Sequence, residues 1–312
     1  MKLNLETLKR NKWRYLGFIF GFLFFVYPFA AIPRIIYFLQ GSLAAPTLHS
    51  VCYRMTVEWM FTGRYWTTII VQPIRLLALI AIVVAFFFGP LFCGWLCPIG
   101  SLTESLSRLT PRRLKIDFSG KVSLGAIRYG FFIGFLLPAI LGMIGPATPV
   151  LGSCCAPEAS SVAETLGIAG ICCRYCAASS VQNIVDFLTG NFAALTYWHT
   201  GGIITMVFWL FIGGIFLFGG RGWCWVCPLG VLSNAVHYIG TKLGFTYKVK
   251  HDPTKCKDCG QCRGVCPSWA IKPAEKSVSI DRHACTVCKE CVTACSSGAL
   301  TYSRGHEDVK AS

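Results

Sequence analysis

Four stretches of this chain are apolar over the length a helix needs to cross a bilayer, roughly 20 residues. They are Tyr15–Ile32, Pro73–Phe92, Tyr129–Leu151 and Gly201–Gly219, and together they carry one charged residue, Arg75. Composition agrees with them: 14% of the 312 residues are charged, where a soluble domain has about a quarter. Pro138 and Pro146 fall in the third stretch, where neighbouring helices can satisfy the freed backbone groups. The expectation is a mainly α protein with a four-helix transmembrane bundle in residues 1–240. A further apolar stretch, Leu166–Leu188, is broken by Arg174, Gln182, Asn183 and Asp186. It reads as an extra interfacial or re-entrant helical segment on the outward side.

The net charge of +15 is explained by where the basic residues fall. Five Lys and Arg precede Tyr15, six lie between Cys93 and Arg128, and thirteen follow Gly220. The other two loops and the span ends beside them hold only Arg34, Arg54, Arg64, Arg75 and Arg174. Basic residues collect on the cytoplasmic side of membrane proteins. The pattern therefore predicts a multi-pass protein of a bacterial or archaeal cytoplasmic membrane with both termini in the cytoplasm, and no nucleic-acid partner. Gln72 and Arg75 sit near the outer end of the second span, where a charge is either functional or snorkelling to the interface.

The second and fourth apolar stretches end in related motifs. "FCGWLCPIG" (92–100) aligns with "WCWVCPLG" (223–230) on the Cys-Pro pairs, so that Trp95 matches Trp225, Cys97 matches Cys227 and Gly100 matches Gly230. Spacing differs at the first cysteine, C-x3-C for Cys93 and Cys97 against C-x2-C for Cys224 and Cys227. Repeats placed this way in membrane proteins often meet around a shared site. Four thiols at one membrane level suit one [4Fe–4S] cluster, with disulfide cycling as the alternative. The proline of each motif is expected to turn the chain out of its helix.

Eighteen cysteines are present, and eight of them follow Lys255. "CKDCGQCRGVCP" and "CTVCKECVTAC" both read C-x2-C-x2-C-x3-C. Three cysteines at steps of three let one tight loop reach three irons of a cubane, while the fourth belongs to the other cluster. This assigns Cys256, Cys259, Cys262 and Cys295 to one [4Fe–4S] cluster and Cys285, Cys288, Cys291 and Cys266 to a second. Zinc also accepts C-x2-C pairs, but a structural zinc site closes on four ligands, which two interlocked quartets fit poorly. Residues 241–303 are therefore expected to form a bacterial two-cluster, ferredoxin-like α+β domain facing the cytoplasm. "TKLGFTYKVKHDPTK" reads as a linker into it, and 304–312 as a loose tail. "KSVSIDRH" and "ALTYS" read as short strands able to pair beside the clusters.

Five more thiols, Cys154, Cys155, Cys172, Cys173 and Cys176, lie in the outward loop. They suggest a fourth cluster or another thiolate-bound metal, copper or zinc, against disulfides in an oxidising compartment. Cys52 reads as a lone thiol. No nucleophile constellation, phosphate-binding glycine loop or C-x-x-C-H haem motif is found, so the chemistry indicated is electron transfer.

"FCGWLCP" and "WCWVCP" at span ends, followed by the eight-cysteine domain, resemble the NapH/MauN family of ferredoxin-type membrane proteins. The likeness runs from about Phe86 to Ser303, outside the loop between the third and fourth spans. It implies a four-span component of a quinol dehydrogenase that takes electrons from the quinone pool and passes them to a periplasmic ferredoxin, cytochrome or reductase subunit. The family's lip motif falls on Cys93, Cys97 and Pro98 and on Cys224, Cys227 and Pro228. Two features depart from the family pattern, the C-x2-C spacing of the second motif and the extra outward cysteines. The rival expectation is an assembly or metal-handling factor that reduces a thiolate-bound metal such as copper.

Overall fold

The computed structural model of the protein describes residues 11–25, 31–39, 73–109, 124–144, 220–274 and 277–305, with a few isolated positions besides. The chain divides into two compact units. One comprises residues 1–21, 79–128 and 214–312; the other comprises 22–78 and 129–213. Within the second, Phe61 meets Phe132 edge to face at 5.9 Å.

Helix α1 (Lys12–Phe25) covers the first part of the stretch Tyr15–Ile32, α2 (Ala31–Leu39) shares only its last two residues, and α3 (Pro73–Phe88) lies on the second stretch. The second stretch is not helical to Phe92 as expected. Gly89 takes a left-handed φ of +79° and Pro90 follows it, so α3 stops at Phe88. A Cβ at Gly89 would also stand 2.5 Å from Val287 Cγ2. Phe92–Leu96 then forms a single π-helical turn, and Pro98 opens α4 (Pro98–Leu109). The third stretch is described as far as Ile144, within α5 (Leu124–Ile144), which begins five residues before the expected Tyr129 and whose side chains are described from 125 to 137; residues 145–151 lie outside the described residues. Residues 201–219 and Leu166–Leu188 lie outside the described residues. Among the described residues no helix is both long and apolar enough to cross a membrane, so the four-span bundle is not seen as such.

The second motif is a short turn, α6 (Trp223–Val226), followed by α7 (Pro228–Leu243). The stretch read as a linker is structured: α7 runs through Thr241 and closes on left-handed Gly244, and β1 (Tyr247–His251) follows at once. A glycine there satisfies the helix end without the steric cost of a Cβ. Beyond it come α8 (Gln261–Val265), β2 (Ile271–Ala274), β3 (Ser277–Ile280), α9 (Glu290–Ala294) and β4 (Leu300–Arg304). The two strands expected to pair with each other do not. β4 pairs with β1 and β3 with β2, both antiparallel, because each needs a partner bringing its own apolar face to the core. That core is Val249, Ile271, Val278, Leu300 and Cys291, with Cys262, Cys266, Cys285 and Cys295 packed on it.

Candidate iron–sulfur site

The two cysteine loops after Lys255 have the same backbone. Asp258 and Val287 occupy equivalent positions with φ of 46° and 50°, and Gly260 and Lys289 follow with 69° and 62°. A β-branched residue rarely accepts a positive φ. At Val287 the strain is held by the loop that turns Cys285, Cys288 and Cys291 inward, in keeping with strain collecting at functional sites. Cys266 joins those three across the domain. All four line one cavity of about 330 Å³, counted with its open mouth, together with Ser268 and Lys289. The other quartet is looser and nearer solvent. Cys262 interacts with Cys259 and Cys295, and Cys259 is exposed. The fourth cysteine of each run has a serine hydroxyl near its sulfur, Ser268 at 3.8 Å from Cys266 and Ser297 at 3.5 Å from Cys295.

This donor set fits a cluster. Burial, then repulsion from Cys288 and Cys266, pushes the Cys285 thiol up to about 12. Cys291 is pushed up further by burial and by Cys288, Cys285 and Cys266. Packed together, such thiols hold their protons unless a metal replaces them. Ligands to one zinc, each about 2.3 Å from it, crowd within about 4 Å of one another. Here the four thiols wall a shared cavity, an arrangement that suits donors to the separate irons of a cluster.

The lip motifs meet. Cys93 interacts with Cys97, Cys224 and Cys227, and Cys97 with Cys224. Burial first, and these neighbours second, raise Cys93 well above the ordinary thiol. The unequal spacing is absorbed by the backbone. Cys97 N–H donates to Phe92 O at 2.9 Å, the i→i+5 bond of the π turn, and so accommodates the extra residue between Cys93 and Cys97. A one-residue insertion into a helical turn produces such a bulge. Cys97 and Cys227 then take the same extended conformation, ψ 114° and 118°. Their prolines do more than end a helix: each stands first in the next one, where its missing N–H costs nothing.

A buried ion cluster, which the sequence analysis does not anticipate, lies beside the lip. Glu104 on α4 binds Arg14 and Arg221, each at 2.6 Å, and Arg108 at 2.7 Å. Glu290 on α9, between Cys288 and Cys291, binds Arg14 and receives Arg108 at 2.9 Å and Asn11 Nδ2 at 2.8 Å. Arg14, Glu104, Arg221 and Glu290 are all buried. Burial works against the charge on Glu104, but Arg221, Arg14 and Arg108 outweigh it and hold the carboxyl near 2. Arg221 donates to the carbonyls of Cys93 and Gly94, the latter at 3.1 Å, and Arg14 also donates to Gly94 O at 3.1 Å. Read from sequence, these arginines only oriented the chain. One signal was available: Glu104 is the single acidic residue between Glu58 and Asp117.

The second cysteine loop packs directly on the lip. A Cβ at Gly94 would overlap Thr286 O and stand 3.4 Å from Cys288 N, so the backbones beside Cys93 and at Cys288 are in contact. Trp95 Nε1 donates to Val287 O at 3.2 Å, Arg221 N to Pro267 O at 3.1 Å, and Trp225 faces Trp269 at 5.3 Å. Cys52 and the outward Cys154, Cys155, Cys172, Cys173 and Cys176 lie outside the described residues.

Comparison with known proteins agrees with this layout. Residues 71–117 and 202–246, which contain both lip motifs, match the model of a 4Fe-4S binding domain, and residues 245–307 match that of a 4Fe-4S dicluster domain. YccM of Escherichia coli (strain K12) is 26% identical over 75% of this chain, which spans 57% of that protein's length. The ferredoxin-type protein NapH of Haemophilus influenzae is 27% identical over 72% of this chain and 66% of its own length. Ferredoxin-1 of Rhodobacter capsulatus is 40% identical over 53 residues, 82% of its length. No solved structure matches the chain. With family models covering both lip motifs and the two-cluster region, and NapH matching along most of its length, the chain belongs to the NapH-like family of ferredoxin-type electron-transport proteins.

Proposed function

We propose that the chain is a membrane electron carrier, a quinol dehydrogenase component that takes electrons from the quinone pool and passes them to a periplasmic ferredoxin, cytochrome or reductase subunit. The observation that carries this reading is the contact of two thiol sets through Gly94 and Cys288. Electron tunnelling falls steeply with distance, and this contact leaves little more than two peptide groups between Cys93 and Cys288. Cys93, Cys97, Cys224 and Cys227 would hold one [4Fe–4S] cluster. Cys266, Cys285, Cys288 and Cys291 would hold the next, and Cys256, Cys259, Cys262 and Cys295 the outermost. Such clusters supply one-electron transfer at a potential set by charge, hydrogen bonds to sulfur and solvent exposure. The protein supplies the rest: Ser268 and Ser297 beside sulfurs, Trp225 and Trp269 shielding the join, and the buried ion pairs holding the contact in register.

Exposed apolar side chains support a membrane setting. Trp13, Ile19 and Phe20 on α1 and Ile80, Val83 and Phe87 on α3 are all exposed, the kind of apolar outer face that a lipid surrounding would cover. The distribution of basic residues supports cytoplasmic termini. The five outward cysteines are proposed to hold a further metal centre.

Anaerobically purified protein should oxidise a quinol and reduce all its centres. In Gly94→Val the branched side chain forces the two thiol sets apart, and reduction of the C-terminal centres by quinol should slow at least tenfold with iron content unchanged. Wild-type protein that holds its iron and fails to oxidise quinol would refute the reading.

A further inference from the structure

Arg128, at the start of α5, is 2% exposed and has no acidic partner in hydrogen-bonding range among the described residues. Its Nη2 donates to Gly230 O at 3.2 Å, and its Nη1 has no hydrogen-bond partner. A buried guanidinium without a counter-charge is costly, so something beside it must be negative. The glycine it holds packs against Cys227, and the thiols of Cys224, Cys93 and Cys227 lie within its electrostatic reach. Asp281 follows more weakly and is already engaged by Lys272 at 3.0 Å.

The internal repeat shows why this position is special. Gly100 and Gly230 are equivalent glycines of the two motifs, and each has an arginine against it. At Gly100 it is Arg221, whose Nη1 would lie 2.7 Å from an added Cβ. At Gly230 it is Arg128, on the carbonyl of a residue whose Cβ would stand 4.0 Å from Cys227 Sγ. The thiol quartet is thus flanked by two arginines, one from each side of the repeat. Arg221 is ion-paired with Glu104; Arg128 has no carboxylate within ion-pair distance among the described residues.

We propose that Arg128 is a positioning residue that supplies the counter-charge of the lip quartet and raises the reduction potential of the centre held by Cys93, Cys97, Cys224 and Cys227. The proposal rests on the reading of that quartet as a cluster site. Four thiolates around an oxidised cubane leave a net negative charge, which each added electron increases. A fixed positive charge in a low-dielectric surrounding favours the reduced form. The lip centre would then accept electrons more readily than its thiolates alone allow.

The test is an anaerobic redox titration of the full chain followed by electron paramagnetic resonance, with the lip signal identified as the one lost in Cys224→Ser. Arg128→Gln keeps a donor for Gly230 O and removes the charge; Arg128→Lys keeps the charge. The expected result is a lower midpoint potential for the lip centre in Arg128→Gln, or its selective loss, with the two C-terminal centres unchanged and Arg128→Lys close to wild type. A wild-type potential in Arg128→Gln overturns the proposal. So does an equal shift in both variants, which would assign the effect to hydrogen-bond geometry, or loss of every centre in both, which would assign Arg128 to folding. Absence of a lip signal from the wild type would instead refute the cluster reading beneath it, and this proposal with it.

Discussion

Glu104 shows how much rests on one side chain in a chain so poor in acids. Its carboxylate serves Arg14, Arg108 and Arg221, and removing one partner of a buried pair costs about 3–5 kcal/mol because the other charge is left stranded. Glu104→Gln should therefore destabilise the folded unit by roughly 3 kcal/mol, measured by chemical denaturation at pH 7. The pH dependence has a definite sign. The folded carboxyl sits near 2 and the unfolded one at about 4.3. The stabilisation is thus complete above the unfolded value and is lost as pH falls toward 2. Wild type should lose more stability than Glu104→Gln between pH 6 and pH 3; parallel losses would show that the carboxylate is not held down as described.

At the scale of elements, glycines set how closely α1 approaches the first lip motif. Gly17 and Gly21 face the π turn one helical turn apart. An added Cβ at Gly17 would lie 2.7 Å from Trp95 O, and one at Gly21 would overlap Leu96 O. Both obstacles are backbone, so no side-chain rotation relieves them. Small residues four apart are a known device for close helix approach. Gly21→Val should displace α1 from the turn that carries Cys93 and Cys97. The expected outcome is iron lost from the lip centre, with the two C-terminal centres retained, by metal analysis and spectroscopy. Full iron content in Gly21→Val would show that α1 does not hold the turn in place.

Over the whole of the first unit, the two-cluster domain is fixed to the lip rather than tethered to it. α7 passes into β1 through its left-handed cap Gly244, and Asn234 Nδ2 donates to His283 O at 2.5 Å. Tyr302 OH donates to Phe88 O at 2.7 Å. Residues buried at this join, Val287 and Thr286 among them, become exposed if the domain is cut free. A fragment of residues 245–312 should release iron to a chelator faster than the full chain, by about tenfold or more. Equal release rates would mean that the join contributes nothing to holding the second quartet.

The cysteine spacing was legible because it is a local constraint. The reach of a short loop decides which three thiols can share a centre, and Cys266 and Cys295, each at the far end of the helical turn that follows its loop, are directed to the other one. The Cys-Pro repeat was legible for the same reason, since a proline after a cysteine forces a turn whatever surrounds it. The strand partners, the helical course of the supposed linker and the π turn were not. Each depends on which apolar face or backbone lies opposite, and local pattern does not carry that. The arginines mark the limit most clearly. In sequence, Arg14, Arg108, Arg128 and Arg221 are basic residues on one side of a charge asymmetry. Only the tertiary structure, by bringing together residues as far apart as Arg14 and Glu290, decides that three of them gather on two buried carboxylates and that the fourth, Arg128, is held at Gly230 of the second lip motif.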